Sequence, residues 1–198
     1  RDRSVSRGLG DVYKRQVAWL LGMLHDIGRF EQIKRYNTFS DADSVDHAKF
    51  GADLLFKDGL ISTFLNGMVK CTGYKPGALE DRYSSDGVFL YDRLNKSDME
   101  MLELAIRCHN MYRIPQGLNR REQAFCNVLR DADKVDIFKV NIDTPLEEIY
   151  NTTTEELMKS DITDEVLEAF DEEHCILKAI RRTPADTVIG HVSLAYEL

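Results

Sequence analysis

The sequence predicts an all-α helical bundle, and three observations carry that prediction. Apolar residues recur at helical spacing from residue 17 onward, helix-capping residues precede several of these stretches, and only residues 88–91 read as a possible strand. The chain's 198 residues, 43% hydrophobic and 30% charged, suffice for one domain with a real core.

Taken in order, residues 1–16 stand apart. They carry a local charge of +3 against −11 for the remainder and lack apolar periodicity. They also resemble the translated read-through of a sequencing adapter, so they are set outside the fold as a non-native or disordered segment. Residues 17–198 then form a single domain. An apolar helix runs from Val17 to the break at Gly28. Residues 29–45 are a polar connection with a short helix over residues 30–36. Asp46 or Ser44 caps a helix to about Phe56, Asp58-Gly59 marks a turn, and residues 60–69 form another apolar helix. Residues 73–96, with Gly73, Pro76, Gly77 and Gly87, read as a long loop of the kind that covers active sites. Ser97 to Glu100 form a capping box, opening a helix with Leu102, Ala105, Ile106 and His109 on one face. Asn119 caps the next helix, where Phe125, Leu129 and Asp133 are spaced four apart. Thr144-Pro145 and Thr183-Pro184 are cap-plus-proline starts, and Thr163 begins a helix through Arg182. The total is about seven to nine helices.

Composition excludes several classes of function. A net charge of −8 makes the chain a poor partner for DNA or RNA polymers, which require clustered Lys and Arg. No apolar run approaches the ~20 residues of a membrane span, and no signal peptide is visible. The four cysteines form no Cys-x-x-Cys pair, which suits reduced, buried thiols in a cytoplasmic protein. A Gly-x-Ser-x-Gly elbow, a Walker A loop and a dinucleotide glycine fingerprint are all absent.

The chemistry-bearing residues are His25-Asp26, His47, His109 and Asp133. Each lies in an amphipathic helical stretch, on or beside its apolar face. Three imidazoles and two carboxylates aimed at one core are hard to satisfy except with a metal. Gly51, one turn beyond His47, leaves room for close helix approach. Ligands of this kind without thiolate suit Mn, Fe, Co, Ni, Zn or Mg rather than a structural zinc. Two such ions can lower the pKa of a shared water and clamp phosphoryl oxygens, so no protein nucleophile is needed. Arg29, Arg113 and Lys134 neighbour these positions and are candidate phosphate contacts. His174, after two glutamates, and His191 lack such partners and read as structural or solvated.

The order of these residues and their flanks, Leu24-His25-Asp26-Ile27-Gly28-Arg29, Asp46-His47-Ala48 and Ala132-Asp133-Lys134, resembles the HD superfamily of metal-dependent phosphohydrolases. The resemblance spans roughly residues 17–140 and is strongest over residues 24–56. It implies an HD-domain-like helical bundle holding one or two divalent ions through His25, Asp26, His47, His109 and Asp133. It implies hydrolysis of a small phosphate ester or nucleotide by metal-activated water, with Asp26 and Arg29 in catalytic roles. Two alternatives stay open: a phosphodiesterase of cyclic or bridged dinucleotides, and a non-catalytic nucleotide-sensing module. One element of the pattern has no counterpart, because the family's first His should precede Val17 and no His occurs there. The expectation is a fragment that lost this residue where the adapter-like segment begins, and that is cut again after the apolar run at residues 192–198.

Overall fold

Val17, Leu20, Leu21 and Leu24 lie along one stripe of a helix, and all four are at most 2% exposed. Burying each stabilises the fold by about 1.5–3 kcal/mol. In the computed structural model, which describes residues 2–72, 94–150 and 152–197 (residues 2–12 and 67–72 as backbone alone), this helix, α1, spans Asp2–Leu24. Residues 2–16 are therefore helical and continuous with the apolar stretch, although their sequence offers no helical pattern. Extending an existing helix needs no new nucleus. Tertiary contacts add to this from Tyr13 onward. Tyr13 packs on the core and bonds Asp98, and burial together with that carboxylate pushes its hydroxyl up to about 12.

Every described element is helical, and no strand occurs among the described residues. The expected long loop at residues 73–96 and the possible strand at residues 88–91 fall mostly or wholly outside them. Backbone contacts divide the chain into two compact units, Arg1–Leu129 and Arg130–Leu198.

The first unit continues with α2 (Ile27–Tyr36), α3 (His47–Ala52), a π-helical turn (Asp53–Lys57), α4 (Leu60–Thr72) and α5 (Lys96–Cys108). Helix α6 (Arg120–Asp143) begins in this unit, and the division falls within it. Asp46 caps α3, its side chain accepting from the Lys49 N–H, and Asn119 caps α6 by accepting from the N–H groups of Arg121 and Glu122. Gly59, at φ 79°, makes the expected turn before α4. The capping box of α5 is formed by Asn95 and Asp98, so the helix starts two residues before the expected Ser97. Asn is as effective a cap as Ser, and Asp98 three residues after Asn95 completes its box. Asp98 is itself buried and paired with Arg121. The core joins the α1 stripe to Leu55, Leu65, Leu102, Ile106, Phe125 and Leu129, among others.

Two glycines bring α2 and α3 together. A Cβ on Gly28 would lie 2.2 Å from the His47 carbonyl oxygen and 2.8 Å from the Gly51 nitrogen. A Cβ on Gly51 would lie 3.0 Å from the Gly28 nitrogen. The helices thus meet backbone to backbone, as the glycine after His47 led one to expect.

In the second unit, α6 is followed by α7 (Leu146–Tyr150), α8 (Thr154–Met158), α9 (Asp164–Asp171) and α10 (Pro184–Val192), with 3-10 turns at Lys178–Ile180 and Ser193–Glu197. Thr183 caps α10 with Pro184 in its first turn, as expected. Helix α9 starts at the expected Thr163 cap but ends at Asp171, well short of Arg182. Glu173 adopts φ 56°, and the His174 N–H turns back to the Ala169 carbonyl, a left-handed stop made without glycine. Buried Asp186 then gathers the N–H groups of Thr163, Arg182 and Thr183, tying the start of α9 to that of α10.

Cys108, Cys126 and Cys175 are buried thiols. No described helix is long and apolar enough to cross a membrane.

Candidate metal centre

His25 follows the last residue of α1, and His109 follows the last residue of α5. Helix C-termini leave carbonyl oxygens without intrahelical partners. Each imidazole uses one: His25 Nδ1 is 2.8 Å from the Gly22 carbonyl, and His109 Nδ1 is 2.7 Å from the Ile106 carbonyl. A carbonyl oxygen only accepts, so both Nδ1 atoms carry the proton and both Nε2 atoms present a lone pair. His47 occupies the first position of α3, and its Nδ1 lies 2.7 and 2.9 Å from the two oxygens of Asp41. A carboxylate likewise only accepts, so the His47 Nε2 presents a lone pair too.

These Nε2 atoms converge. The His47 and His109 Nε2 atoms are 3.1 Å apart. Asp26 Oδ1 stands 3.4 Å from His47 Nε2 and 3.6 Å from His109 Nε2, while Oδ2 is 3.6 Å from His25 Nε2. The rings of His25 and His47 each meet His109 edge-on at 5.0 Å between centroids. Asp26 is the N-cap of α2, yet its side chain makes no capping hydrogen bond and is turned to the imidazoles instead. The His47 and His109 side chains are 5% and 1% exposed while Asp26 is 46% exposed, so the cluster is walled on the imidazole side and open at the carboxylate.

Lone pairs facing lone pairs and a carboxylate repel one another unless a positive charge lies between them. Separations of 3.1–3.6 Å are close to the edges of a coordination polyhedron with bonds of about 2.1 Å. Burial works to raise Asp26, but positive charge at the positions of His109, His25 and His47 would outweigh it and hold the carboxyl at about 2. His47 is a poor source of that charge, because burial and nearby Arg29 push it below the ordinary imidazole range against the pull of Asp41. A divalent cation held by His25, Asp26 and His109, with His47 beside them, fits the donor set.

A second group, Asp41, Asp46 and His47, also lies within ligating distance. Its oxygens are already occupied by donors. Asp41 accepts from Arg29 Nη1 at 2.9 Å and Gln32 Nε2 at 3.0 Å, besides His47. Asp46 is paired with Lys49 Nζ at 2.8 Å and accepts from Asn110 Nδ2 at 3.0 Å. Two cations already balance these two carboxylates, so the group is a hydrogen-bonded support and a weak competitor for a metal.

Of the expected site residues, His25, Asp26, His47 and His109 come together within the first unit. Asp133 lies on α6 in the second unit, partly buried. Arg29 donates through Nη1 to Asp41, the Phe39 carbonyl and Gln32 Oε1, and its Nε is 3.9 Å from Asp26 Oδ1. Arg113 is exposed beside the Tyr112 ring. Lys134 is 7% exposed and donates to the Glu197 carbonyl at 3.0 Å, so its ammonium is spent inside the second unit and is not turned to an open surface. His174 is exposed, and His191 contacts Tyr150 and Asn141. Sequence reasoning missed Asp41 and the fully buried Gln32. The available signal for Gln32 was its position four residues after Gly28, on the same inward face of α2. Beside Asp26 and Arg29 lies an open depression of about 590 Å³, otherwise lined by Phe30, Ile33 and Phe39.

No protein family, curated protein or solved structure matches this chain.

Proposed function

We propose that the protein is a metal-dependent phosphohydrolase acting on a small phosphate ester or nucleotide. The observation that carries this reading is the convergence of three Nε2 lone pairs on Asp26 at the edge of an open depression. His25, Asp26, His47 and His109 would hold one or two divalent ions, and Asp133 is added to that set by its helical spacing in the sequence and by the family resemblance. A divalent ion in such a site makes water acidic and offsets charge on phosphoryl oxygens. The chain's own residues do the rest. Asp26 reaches from the ligand set to solvent, where a substrate arrives. Arg29, clamped through Nη1, keeps its Nε beside Asp26, where it would meet a phosphoryl oxygen. Phe30, Ile33 and Phe39 offer an apolar wall for the rest of the substrate, which suits a nucleobase or aromatic alcohol better than a sugar.

The test is hydrolysis of a panel of nucleoside monophosphates, simple phosphate monoesters and cyclic dinucleotides, each with added Mn²⁺, followed as phosphate release for the monoesters and as formation of the linear dinucleotide for the cyclic substrates. Turnover of monoesters that vanishes with chelator and in Asp26→Ala supports the reading. Cleavage of only the cyclic dinucleotides would move it to a phosphodiesterase. Tight nucleotide binding without turnover would move it to a sensing module.

A further inference from the structure

The three imidazoles of the centre are oriented by unlike means. His25 and His109 sit at helix C-termini, where last-turn carbonyls lie three residues back and accept the Nδ1 proton. His47 sits at the first position of α3. A helix N-terminus offers N–H donors and no carbonyl acceptors, so the backbone cannot orient His47 in that way. The acceptor must come from elsewhere, and it comes from Asp41 in the connection before α3, through both carboxylate oxygens.

We infer that Asp41 is a positioning residue: it fixes His47 in the Nδ1–H tautomer and thereby turns the Nε2 lone pair to the cation. The inference rests on the proposed metal centre. Asp41 is in turn held from α2. Arg29 Nη1 bonds its Oδ1 and the Phe39 carbonyl two residues upstream at 2.6 Å. Gln32, 0% exposed, spreads its amide over Asp41 Oδ1 at 3.0 Å, Ser44 Oγ at 2.8 Å and the Val45 carbonyl at 3.0 Å. Both ends of the connection are thus tied to the helix that carries Asp26 at its cap. Neutral side chains would suffice to pin a loop. A carboxylate aimed at imidazole Nδ1 is the arrangement that fixes a ligand's tautomer and raises its basicity.

Long-range ¹H–¹⁵N spectra of the imidazoles in the metal-free 198-residue chain read the tautomer directly, and Mn²⁺ and Co²⁺ titrations read affinity. The expected result is His47 as the Nδ1–H tautomer in the parent protein. In Asp41→Leu the tautomer should become mixed and metal affinity should fall about 10- to 100-fold. Asp41→Asn, which keeps an acceptor oxygen, should restore the tautomer and most of the affinity. Ser44→Ala loosens the same connection without touching Nδ1, and should change neither. His47 found as the Nε2–H tautomer in the parent protein would overturn the inference, as would an Asp41→Leu variant with unchanged tautomer and affinity. If the parent binds neither ion, the metal reading fails, while the tautomer spectra still decide whether Asp41 sets His47.

Discussion

His109 in the first unit and His191 in the second both carry hydrogen bonds to protein groups, yet their surroundings differ in kind. In the second unit the Tyr150 hydroxyl donates to the Asn141 carbonyl oxygen and stands 3.0 Å from His191 Nδ1. Asn141 also donates to the Ile137 carbonyl at 2.8 Å. Donors there meet acceptors, and nothing further is required. In the first unit His109 Nδ1 is equally well placed, but its Nε2 faces the Nε2 of His47 and a carboxylate. Acceptors there meet acceptors. The contrast shows what separates a structural histidine from a ligand: both are at least partly buried, and the sign of the neighbouring groups differs.

The most disruptive way to break the first arrangement is through the backbone that spaces it. Gly28→Ala places a methyl 2.2 Å from the His47 carbonyl oxygen, an atom of the helix wall that cannot rotate away. The expected loss exceeds about 3 kcal/mol, at the upper end of overpacking costs, with metal binding lost as α2 and α3 part. Thermal denaturation and a Mn²⁺ titration on the same sample check both.

Asp26→Ala tests the facing acceptors themselves. Metal affinity and turnover should fall by more than about 100-fold, beyond what removal of a merely supporting partner produces. The metal-free variant should fold as the parent does, because the Asp26 side chain is 46% exposed and makes no capping hydrogen bond to α2. In the parent, Mn²⁺ at about a hundred times its dissociation constant should add about 2.7 kcal/mol of stability, and the same concentration should add less than about 0.4 kcal/mol in Asp26→Ala. A loss of metal-free stability in this variant would show that Asp26 has a fold-supporting role instead.

The second unit should respond to protons where the first responds to metal. Burial, with the charges of Arg181 and Lys178, lowers His191 to about 4 from its ordinary value of 6.5. The unfolded chain then binds a proton between those two values that the folded chain refuses, so stability is full above pH 6.5 and falls towards pH 4. The expected loss is about 2 kcal/mol, allowing for partial exposure of the ring. Amide exchange in α10 followed from pH 7 to 4 should show it, and His191→Gln should flatten the dependence.

The smallest effect belongs to Tyr150→Phe. It removes the hydroxyl between Asn141 and His191 and should cost about 1–2 kcal/mol while leaving metal affinity untouched. A change in metal affinity here would mean that the two clusters are not independent.

Much of the centre was legible because its signals are local. His47 could be placed from the Asp46 cap before it and Gly51 one turn after it, and His109 from the apolar residues at helical spacing on its own helix. Asp41 and Gln32 were not legible, because their roles arise from a polar connection folding back on α2, and contacts nine to thirteen residues apart leave no periodic trace. The start of α5 was misjudged because Asn95 and Ser97 are both good caps and only the fold chooses between them. The end of α9 was missed because Glu173 makes a left-handed stop that sequence rules assign to glycine or asparagine. The helical state of residues 2–16 lacked a signal for another reason: a helix can be extended by what it adjoins rather than by what it contains.

The Gly28–Gly51 contact has a kinetic consequence. The distance between the segment carrying Asp26 and the one carrying His47 is set by main-chain atoms in van der Waals contact, and main-chain atoms have no rotamers to sample. An arriving ion therefore meets a gap already cut to width, with little reorganisation left to perform. Its capture should follow a single exponential whose rate tracks how readily the ion sheds water, Mn²⁺ faster than Mg²⁺, with no slower phase from helices closing around it.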